Sequence, residues 1–204
     1  MKRSYHHGDL RQAILDATLD IIDSDGLDAV SLRAVARALR VSEAAPYHHF
    51  ASKQDLLAVL AANAYAAFGQ HLAEAISAAG PDPYERLRAL VRAYVRYGLE
   101  SRGRYRLMFG EHMIKLATYP AVVAAGRPTR LILEETVAAC VGPGRSDSVG
   151  LENTVWALAH GITSLVGEAE IPTGSDADGI DRLSEVASSV LISGIRAHVQ
   201  AGRC

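Results

Sequence analysis

The stretch from Ser31 to Phe50 constrains the fold of this 204-residue chain more than any other segment. In its first half, apolar residues recur at the three- and four-residue spacing of one helical face, and Ser31 stands at an N-cap position. A second short helix is predicted after Val41, capped by Ser42 and ending near Phe50. Two helices joined by so tight a turn are typical of the helix-turn-helix, whose second helix enters the DNA major groove.

The side chains left over from this core form a cationic face. Arg33, Arg37 and Arg40 project away from the apolar side of the first helix. The formal net charge of the chain is −2, and residues 1–53 carry seven cations against seven acids. From position 31 to Lys53, however, there are four cations and one acid, Glu43. The basic character therefore belongs to a face and not to a whole domain.

From position 9 to about position 60 the chain resembles the N-terminal domain of TetR/AcrR-type transcriptional regulators. The matching residues, in order, are Ile14, Ala17, Ile21, Ile22, Gly26, Ser31, Leu32, Arg33, Val35, Ala36, Val41, Ser42, Tyr47, His48, His49, Phe50, Ser52, Lys53, Asp55, Leu56 and Leu57. The resemblance implies a homodimer that binds double-stranded DNA through two helix-turn-helix units and is joined by its last two helices.

Phosphate contacts are predicted on the second helix of the helix-turn-helix and at the start of the helix that follows it. Lys53 begins the fourth helix, where the free amides and the helix dipole attract anions. Tyr47 and His48 are expected to contact backbone phosphates, with Ser42 as cap and phosphate donor. Partial core packing is the alternative interpretation of Tyr47, and Phe50 is predicted to be core.

Base contacts are predicted from both helices. Arg33 matches the family position from which the first of the two helices reaches the groove, and a guanidinium suits guanine O6 and N7. Ala44 and Ala45 can offer only methyl contacts, for example to thymine. Arg37 and Arg40 are either part of this surface or solvated cations.

Two residues depart from the family pattern. Position 40 is often a glycine with positive φ, and an arginine would need about 1 kcal/mol to adopt that conformation. Arg40 therefore predicts a slightly different turn. Pro46 occupies a position usually held by an apolar residue with an N–H; with Ser42 as N-cap it would end the first turn, where one lost hydrogen bond is tolerable.

Residues that start and stop helices recur along the whole chain, which predicts an all-α fold. A long fourth helix over 52–79 links a DNA-binding domain, residues 1–53, to a helical ligand-binding and dimerisation domain, residues 80–204. Further helices are predicted over 83–100, 104–110, 119–141, 147–169 and 176–200, with loops at 142–144 and 171–179. The 119–141 helix is expected to be disturbed by Gly126 and Pro128.

The last two helices have wide apolar faces that suit a symmetric four-helix interface. The apolar and small residues involved are Val155, Leu158, Ala159, Ile162, Leu165, Val166, Ile180, Leu183, Ala187, Val190, Leu191, Gly194, Ile195 and Val199. The alternative is that both helices pack inside one subunit.

Beyond residue 80 the resemblance continues to the TetR subgroup named for a Trp, a His and a Gly, here Trp156, His160 and Gly161. It implies a helical cavity for a small effector that is uncharged or weakly polar and partly aromatic. The alternative is a core tryptophan whose indole N–H finds a carbonyl, next to a hydrogen-bonded histidine. The residues predicted to bind the effector are Tyr94, Tyr97, Met108, Phe109, Met113, Trp156 and His160.

Catalytic and metal-binding patterns are not found in the sequence. Neighbours such as His48 and His49 point about 100° apart on a helix and cannot chelate one ion. Catalytic residues, metals and cofactors are therefore not expected, and two unrelated cysteines, without a signal peptide or membrane span, indicate the cytoplasm. The predicted function is a ligand-responsive repressor on a palindromic operator. An activator, and a small-molecule-binding protein or enzyme with a vestigial helix-turn-helix, are the alternatives.

Overall fold

The computed structural model describes residues 7–110, 116–142, 147–170 and 177–201. In these ranges the chain forms eight α-helices and two short 3-10 helices and contains no strand, which confirms the predicted all-α class. The α-helices are α1 (His7–Asp25), α2 (Leu32–Leu39), α3 (Lys53–Ala78), α4 (Pro83–Glu100), α5 (Arg102–Phe109), α6 (Pro120–Val141), α7 (Ser148–Gly167) and α8 (Ala177–Ala201). The 3-10 helices are Leu27–Ala29 and Ala45–His48.

From α3 onward, each helix begins and ends within about two residues of its predicted bounds. For α4, the N-cap explains the agreement: the Asp82 carboxylate accepts from the N–H groups of Tyr84 and Glu85 at 2.8 and 3.0 Å. Contrary to expectation, α6 continues through Pro128. The predicted loop at 171–179 is too long, because α8 has already begun at position 177; its other residues, and positions 143–144, lie outside the described ranges.

The chain divides into two compact units. The first comprises residues up to Tyr65 together with Arg102–Ala125, and the second comprises Ala66–Ser101 and residues from Gly126 onward. Helices α3 and α6 each contribute residues to both units. The functional domains 1–53 and 80–204 stay a prediction, whereas α5 is grouped here with the N-terminal helices.

In the first unit, α5 lies tightly against the end of α1. A Cβ added at Gly103 would overlap the Asp23 carboxylate and lie 2.9 Å from Cγ2 of Ile22, so only glycine fits the observed spacing without a shift. Nearby, the Tyr65 hydroxyl donates to the Met108 carbonyl at 2.8 Å. Burial raises the pKa of Tyr65 to about 12, which keeps this donor protonated. Long-range contacts of this kind hold α5 against the N-terminal helices of the first unit.

In the second unit, α4 packs against α7 and α8 around Val95, Ile162 and Val166. The α8 residues Ile180, Leu183 and Ala187 pack against this cluster, and Ile195 and Val199 are buried as well. Among the described residues, three ion pairs join α4 to α8: Arg88 pairs with Glu185, and both Arg92 and Arg96 pair with Asp181. The apolar stripe read from the α8 sequence is therefore largely internal to the subunit, apart from Val190 and Gly194.

Among the described residues, only α3 is long and apolar enough to cross a membrane, with a mean hydropathy of 1.3 over its most apolar window. Of that window, 56% is buried inside the protein. We therefore interpret α3 as a core helix.

The turn after α2 depends on a residue in the left-handed region. Arg40 has φ 56° and ψ 38°, and the N–H of Val41 donates to the carbonyl of Ala36 at 3.0 Å. This six-residue return bond is the Schellman geometry, which usually has glycine at the left-handed position. The expectation that Arg40 would change the turn is therefore wrong, because Arg40 adopts the conformation in which glycine is favoured.

Replacing Arg40 with glycine is expected to stabilise the protein by about 0.5–1 kcal/mol, because the left-handed conformation then carries no Cβ penalty. Arg37→Gly is the matched control, since it removes the same charge from a right-handed position inside α2 and is expected to cost about 1 kcal/mol. Urea unfolding followed by circular dichroism measures both. Equal destabilisation by the two variants would show that Arg40 carries no strain.

Candidate nucleic-acid interface and effector site

The segment after the turn is a 3-10 helix, Ala45–His48, and not the α-helix predicted from the sequence. Its hydrogen bonds span three residues: Ala45 N–H to Ser42 O at 2.9 Å and Tyr47 N–H to Ala44 O at 3.1 Å. Pro46 has no N–H and cannot make the four-residue bond that an α-helix needs here, which accounts for the tighter winding. The predicted N-cap at Ser42 is also wrong, because Ala44 is the N-cap and no side chain caps the segment.

Burial along this segment separates a core side from an exposed side. Pro46 and Phe50 are buried, and the Arg11 guanidinium lies 5.2 Å from the centroid of the Phe50 ring. Tyr47 is 51% exposed, and His48 is exposed beside it. Phe50 is therefore core, as predicted, whereas core packing does not describe Tyr47. The aromatic hydroxyl and the imidazole are both presented to solvent.

The end of the turn carries an exposed ion pair. Nε of Arg33 lies 3.5 Å from Oε2 of Glu43, and the two side chains are 72% and 65% exposed. Ser42 and Ala44, on either side of Glu43, are exposed, and Ala45 is half-buried. The start of α2 and the entry to the 3-10 helix thus present one cation and one anion together.

The N-terminus of α3 is organised by a capping pair. Ser52 Oγ accepts from the N–H of Asp55 at 3.1 Å and donates to its carboxylate at 2.8 Å, so each residue of the pair stabilises the other. Tyr119 also donates to this carboxylate, at 3.1 Å. Burial and the Asp55 charge raise the pKa of Tyr119, so the phenol stays protonated as a donor. Lys53 is half-buried, and its ammonium donates to the Leu27 carbonyl at 3.1 Å, which holds the cation close to the helix end.

All the predicted DNA contacts therefore belong to the first unit and lie at three sites: the start of α2, the 3-10 segment with the residues before it, and the start of α3. They are Arg33, Ser42, Ala44, Ala45, Tyr47, His48 and Lys53. Sequence reasoning missed Tyr119. Its contact with Asp55 joins residues 64 positions apart, and no local pattern signals such a pairing.

In the second unit, Tyr94 links the Trp and the His of the C-terminal resemblance. The indole N–H of Trp156 donates to the Tyr94 hydroxyl at 3.3 Å, and that hydroxyl lies 3.1 Å from Nδ1 of His160. Trp156 is 41% exposed. The core interpretation of Trp156, with its N–H on a carbonyl, is therefore wrong, because the indole is part-exposed and bonds to a phenol. Burial lowers the pKa of His160, which favours the neutral imidazole that can accept from Tyr94.

Aromatic contacts extend this group, which we name the aromatic cluster and define as Phe68, His71, Tyr94, Tyr97, Trp156 and His160. The Phe68 ring lies 5.1 Å from that of Tyr94 and 5.0 Å from that of Tyr97. The His71 ring lies 5.5 Å from that of Tyr97. Nε2 of His71 is buried and has no hydrogen-bond partner among the residues that the structure describes, and the same holds for Oγ1 of Thr129 on α6. The second unit thus combines aromatic surface with polar atoms that lack partners.

Two of the remaining predicted effector-binding residues, Met108 and Phe109, belong to the first unit. Met108 is fully buried in the first unit, where Phe109 packs on Tyr65 and Tyr105 with ring separations of 5.9 and 5.0 Å. Met113 lies outside the described residues. An effector role for these three residues stays a prediction.

Two families match the chain, one over each part. The family described as "Bacterial regulatory proteins, tetR family" matches residues 14–60, and the "Tetracyclin repressor-like, C-terminal domain" matches residues 87–187. Together they cover more than two thirds of the sequence. The subgroup named for Trp, His and Gly is not distinguished by these matches.

Individual proteins agree with these matches. The chain is 36% identical over 88 residues to the HTH-type transcriptional regulator BetI of Rhizobium meliloti, a span of 42% of each protein. It is 23% identical over 158 residues to the uncharacterized HTH-type transcriptional regulator YobS of Bacillus subtilis, covering 78% of this chain and 79% of that one. A solved structure of a protein of unknown function from Rhodococcus sp. RHA1 is 31% identical, with a TM-score of 0.80 over 95% of this chain and 98% of that chain.

Proposed function

The chain belongs to the TetR family of DNA-binding transcriptional regulators, and we propose that it is a cytoplasmic, ligand-responsive repressor that binds a palindromic operator as a homodimer. The observation that carries the proposal is the exposed side of the first unit. There Tyr47 and His48 follow the turn, and Lys53 lies at the start of α3, where Ser52 caps the N–H of Asp55. Aromatic hydroxyls, imidazoles, ammonium groups and helix N-termini are the usual donors to DNA phosphates.

The electrostatics of the α3 N-terminus support its role as a phosphate site. Ser52 and Tyr119 both donate to the Asp55 carboxylate, so its charge is partly balanced within the protein. The Leu27 carbonyl holds the Lys53 ammonium but uses only one of its three protons. The remaining protons and the first amides of α3 can then donate to a DNA phosphate.

The exposed valines of the last helix support the dimer. Val186 and Val190 are 62% and 68% exposed and lie one turn apart on α8, followed one turn later by Gly194. A Cβ placed at Gly194 would meet nothing within 4 Å, so this surface is open. A stripe of small apolar side chains can be buried against its own copy across a two-fold axis. Two copies would then present their helix-turn-helix units to half-sites about 34 Å apart.

The aromatic cluster supports an effector site of the kind implied by the Trp-His-Gly subgroup. Its walls are aromatic, and burial lowers the pKa of His160, which favours the neutral imidazole. In the described part of the chain, His71 and Thr129 also have buried polar atoms without a hydrogen-bond partner. An uncharged, partly aromatic molecule with one or two polar groups matches this combination. Such a ligand would release DNA only if it binds the non-binding conformation more tightly.

Footprinting of the full-length protein on the intergenic DNA beside its gene tests the proposal. A protected region with two-fold symmetry is expected, and a promoter fused to a reporter should become more active when the gene is deleted. The absence of any protected sequence would refute DNA-dependent regulation at that site, and lower reporter activity in the deletion strain would indicate an activator.

Replacing Tyr94 with phenylalanine is expected to lower stability by about 1 kcal/mol, because the indole of Trp156 and Nδ1 of His160 lose a shared partner. The emission of Trp156, the single tryptophan of the chain, should also shift. Tyr97→Phe is the matched control on the same helix, since it keeps the ring contact with Phe68 and leaves the Tyr94 bonds intact. Thermal unfolding followed by fluorescence measures both effects. Identical spectra for the two variants would contradict the assigned bonds.

A further inference from the structure

The carboxylate of Glu43 has an unusual position for a surface that must approach phosphates. Glu43 is the only acid between positions 31 and 53, and it lies at the entry to the 3-10 helix. Between Ser42 and Ala45, only Ser42 and Glu43 have side chains that can form hydrogen bonds, because the other two are alanines. An exposed anion here lowers the affinity for every DNA sequence unless it gains a partner on the correct one.

Within the protein, that anion is paired with the arginine predicted to read bases. Nε of Arg33 lies 3.5 Å from Oε2 of Glu43, and both side chains remain mostly exposed. An exposed pair of this kind is weak and opens readily. While it is closed, the charge of Arg33 is offset and contributes little to attraction by phosphates.

A G·C base pair matches both members of the ion pair at once. In the major groove, guanine offers O6 and N7 as acceptors for a guanidinium, and cytosine offers an N4 donor for a carboxylate. At other base pairs, at least one of the two opened side chains lacks its partner. Opening the ion pair is therefore compensated only where guanine and cytosine face it.

We infer that Glu43 is a specificity-determining residue, which holds Arg33 in an ion pair on non-cognate DNA and accepts from cytosine N4 when Arg33 binds guanine at the operator. The inference rests on the proposed DNA interface and adds to it a reason for the acid on that face. It uses repulsion from wrong sequences as well as attraction to the right one.

The test begins with duplexes selected from a randomised DNA library by the full-length wild-type protein. Dissociation constants are then measured for the selected duplex and for a scrambled duplex of the same composition, with wild type and E43Q, at several salt concentrations. E43Q is expected to bind the scrambled duplex about tenfold more tightly, because the unpartnered anion no longer lowers the affinity. The selected duplex should change little, because the same gain is offset by a weakened base contact, which is worth about tenfold. Its salt dependence on scrambled DNA should steepen by about one phosphate contact, as Arg33 becomes available.

Two further variants separate base readout from a simple change in net charge. Asp20→Asn removes one exposed acid from α1 and should leave the ratio of the two dissociation constants unchanged. Arg33→Ala should weaken binding to scrambled DNA in the E43Q background more than in the wild-type background, where the charge of Arg33 is already offset. A library selected by E43Q should show a weaker preference at one G·C pair in each half-site, because Arg33 still binds guanine but the neutral amide of glutamine is a weaker acceptor for cytosine N4 than a carboxylate.

The outcomes distinguish the inference from the proposed function. If wild type selects a defined site but E43Q selects the same site and tightens both duplexes equally, Glu43 is only a solvated charge and the inference fails alone. If wild type selects no sequence at all, the proposed function fails with it.

Discussion

Replacing Val190 with glutamate is expected to yield a folded monomer that binds the operator at least a hundredfold more weakly than wild type. The side chain is 68% exposed in the single chain, so a carboxylate there can be solvated and the subunit need not unfold. In a dimer, two such carboxylates would be buried close to one another. The free energy that this costs is far larger than the free energy gained by burying the rest of the apolar interface at this position. Operator affinity then falls because two linked half-site contacts become two independent ones, an effect of about a hundredfold or more.

Light scattering after size-exclusion chromatography gives the mass, and a gel-shift titration gives the affinity. Val123→Glu is the matched control: Val123 is also exposed, at 57%, but lies on α6 and not on the proposed interface. A V190E protein that remains dimeric and binds normally would place the interface elsewhere. Monomers from both variants would show that the charge acts without regard to position.

Local rules account for most of the helix boundaries. Ser31 accepts from the N–H of Ala34 at 3.0 Å and starts α2, and the Ser52 and Asp55 pair starts α3, both as the sequence indicates. These features need only neighbours within one helical turn, so they can be read without a structure. The 3-10 winding at Pro46 follows from equally local chemistry, because proline lacks the N–H that an α-turn capped by Ser42 needs at this position.

Contacts between distant residues could not be read in this way. The hydrogen bonds of Tyr119 with Asp55 and of Trp156 with Tyr94 join residues 64 and 62 positions apart. The α8 stripe illustrates the same limit, because helical periodicity identifies an apolar face without saying what covers it. Ile195 is covered by its own subunit, whereas Val190 is not.

The double variant Tyr47→Ala with Lys53→Gln is expected to bind operator about a hundredfold more weakly than wild type while remaining folded and dimeric. Each residue is predicted to contact a phosphate, and a hydrogen bond to a charged group is worth about 1.5–3 kcal/mol. Two such bonds together are worth more than a hundredfold in affinity, and water that hydrates the two phosphates offsets part of their loss. Glutamine keeps an N–H donor for the Leu27 carbonyl, which limits the loss of stability at the start of α3. Tyr47 is 51% exposed, so its removal leaves the core around Phe50 intact.

The salt dependence of this variant separates a phosphate interface from indirect damage. Loss of the Lys53 charge should make the logarithm of the affinity less steep in the logarithm of salt by about 0.9 for each lysine that contacts a phosphate, or about 1.8 for the dimer. Arg102→Gln, an exposed cation at the start of α5 outside the predicted interface, is the control and should change the slope little. Because binding by charge must respond to salt, a double variant that holds the operator as tightly as wild type at every salt concentration would show that DNA is read by another surface.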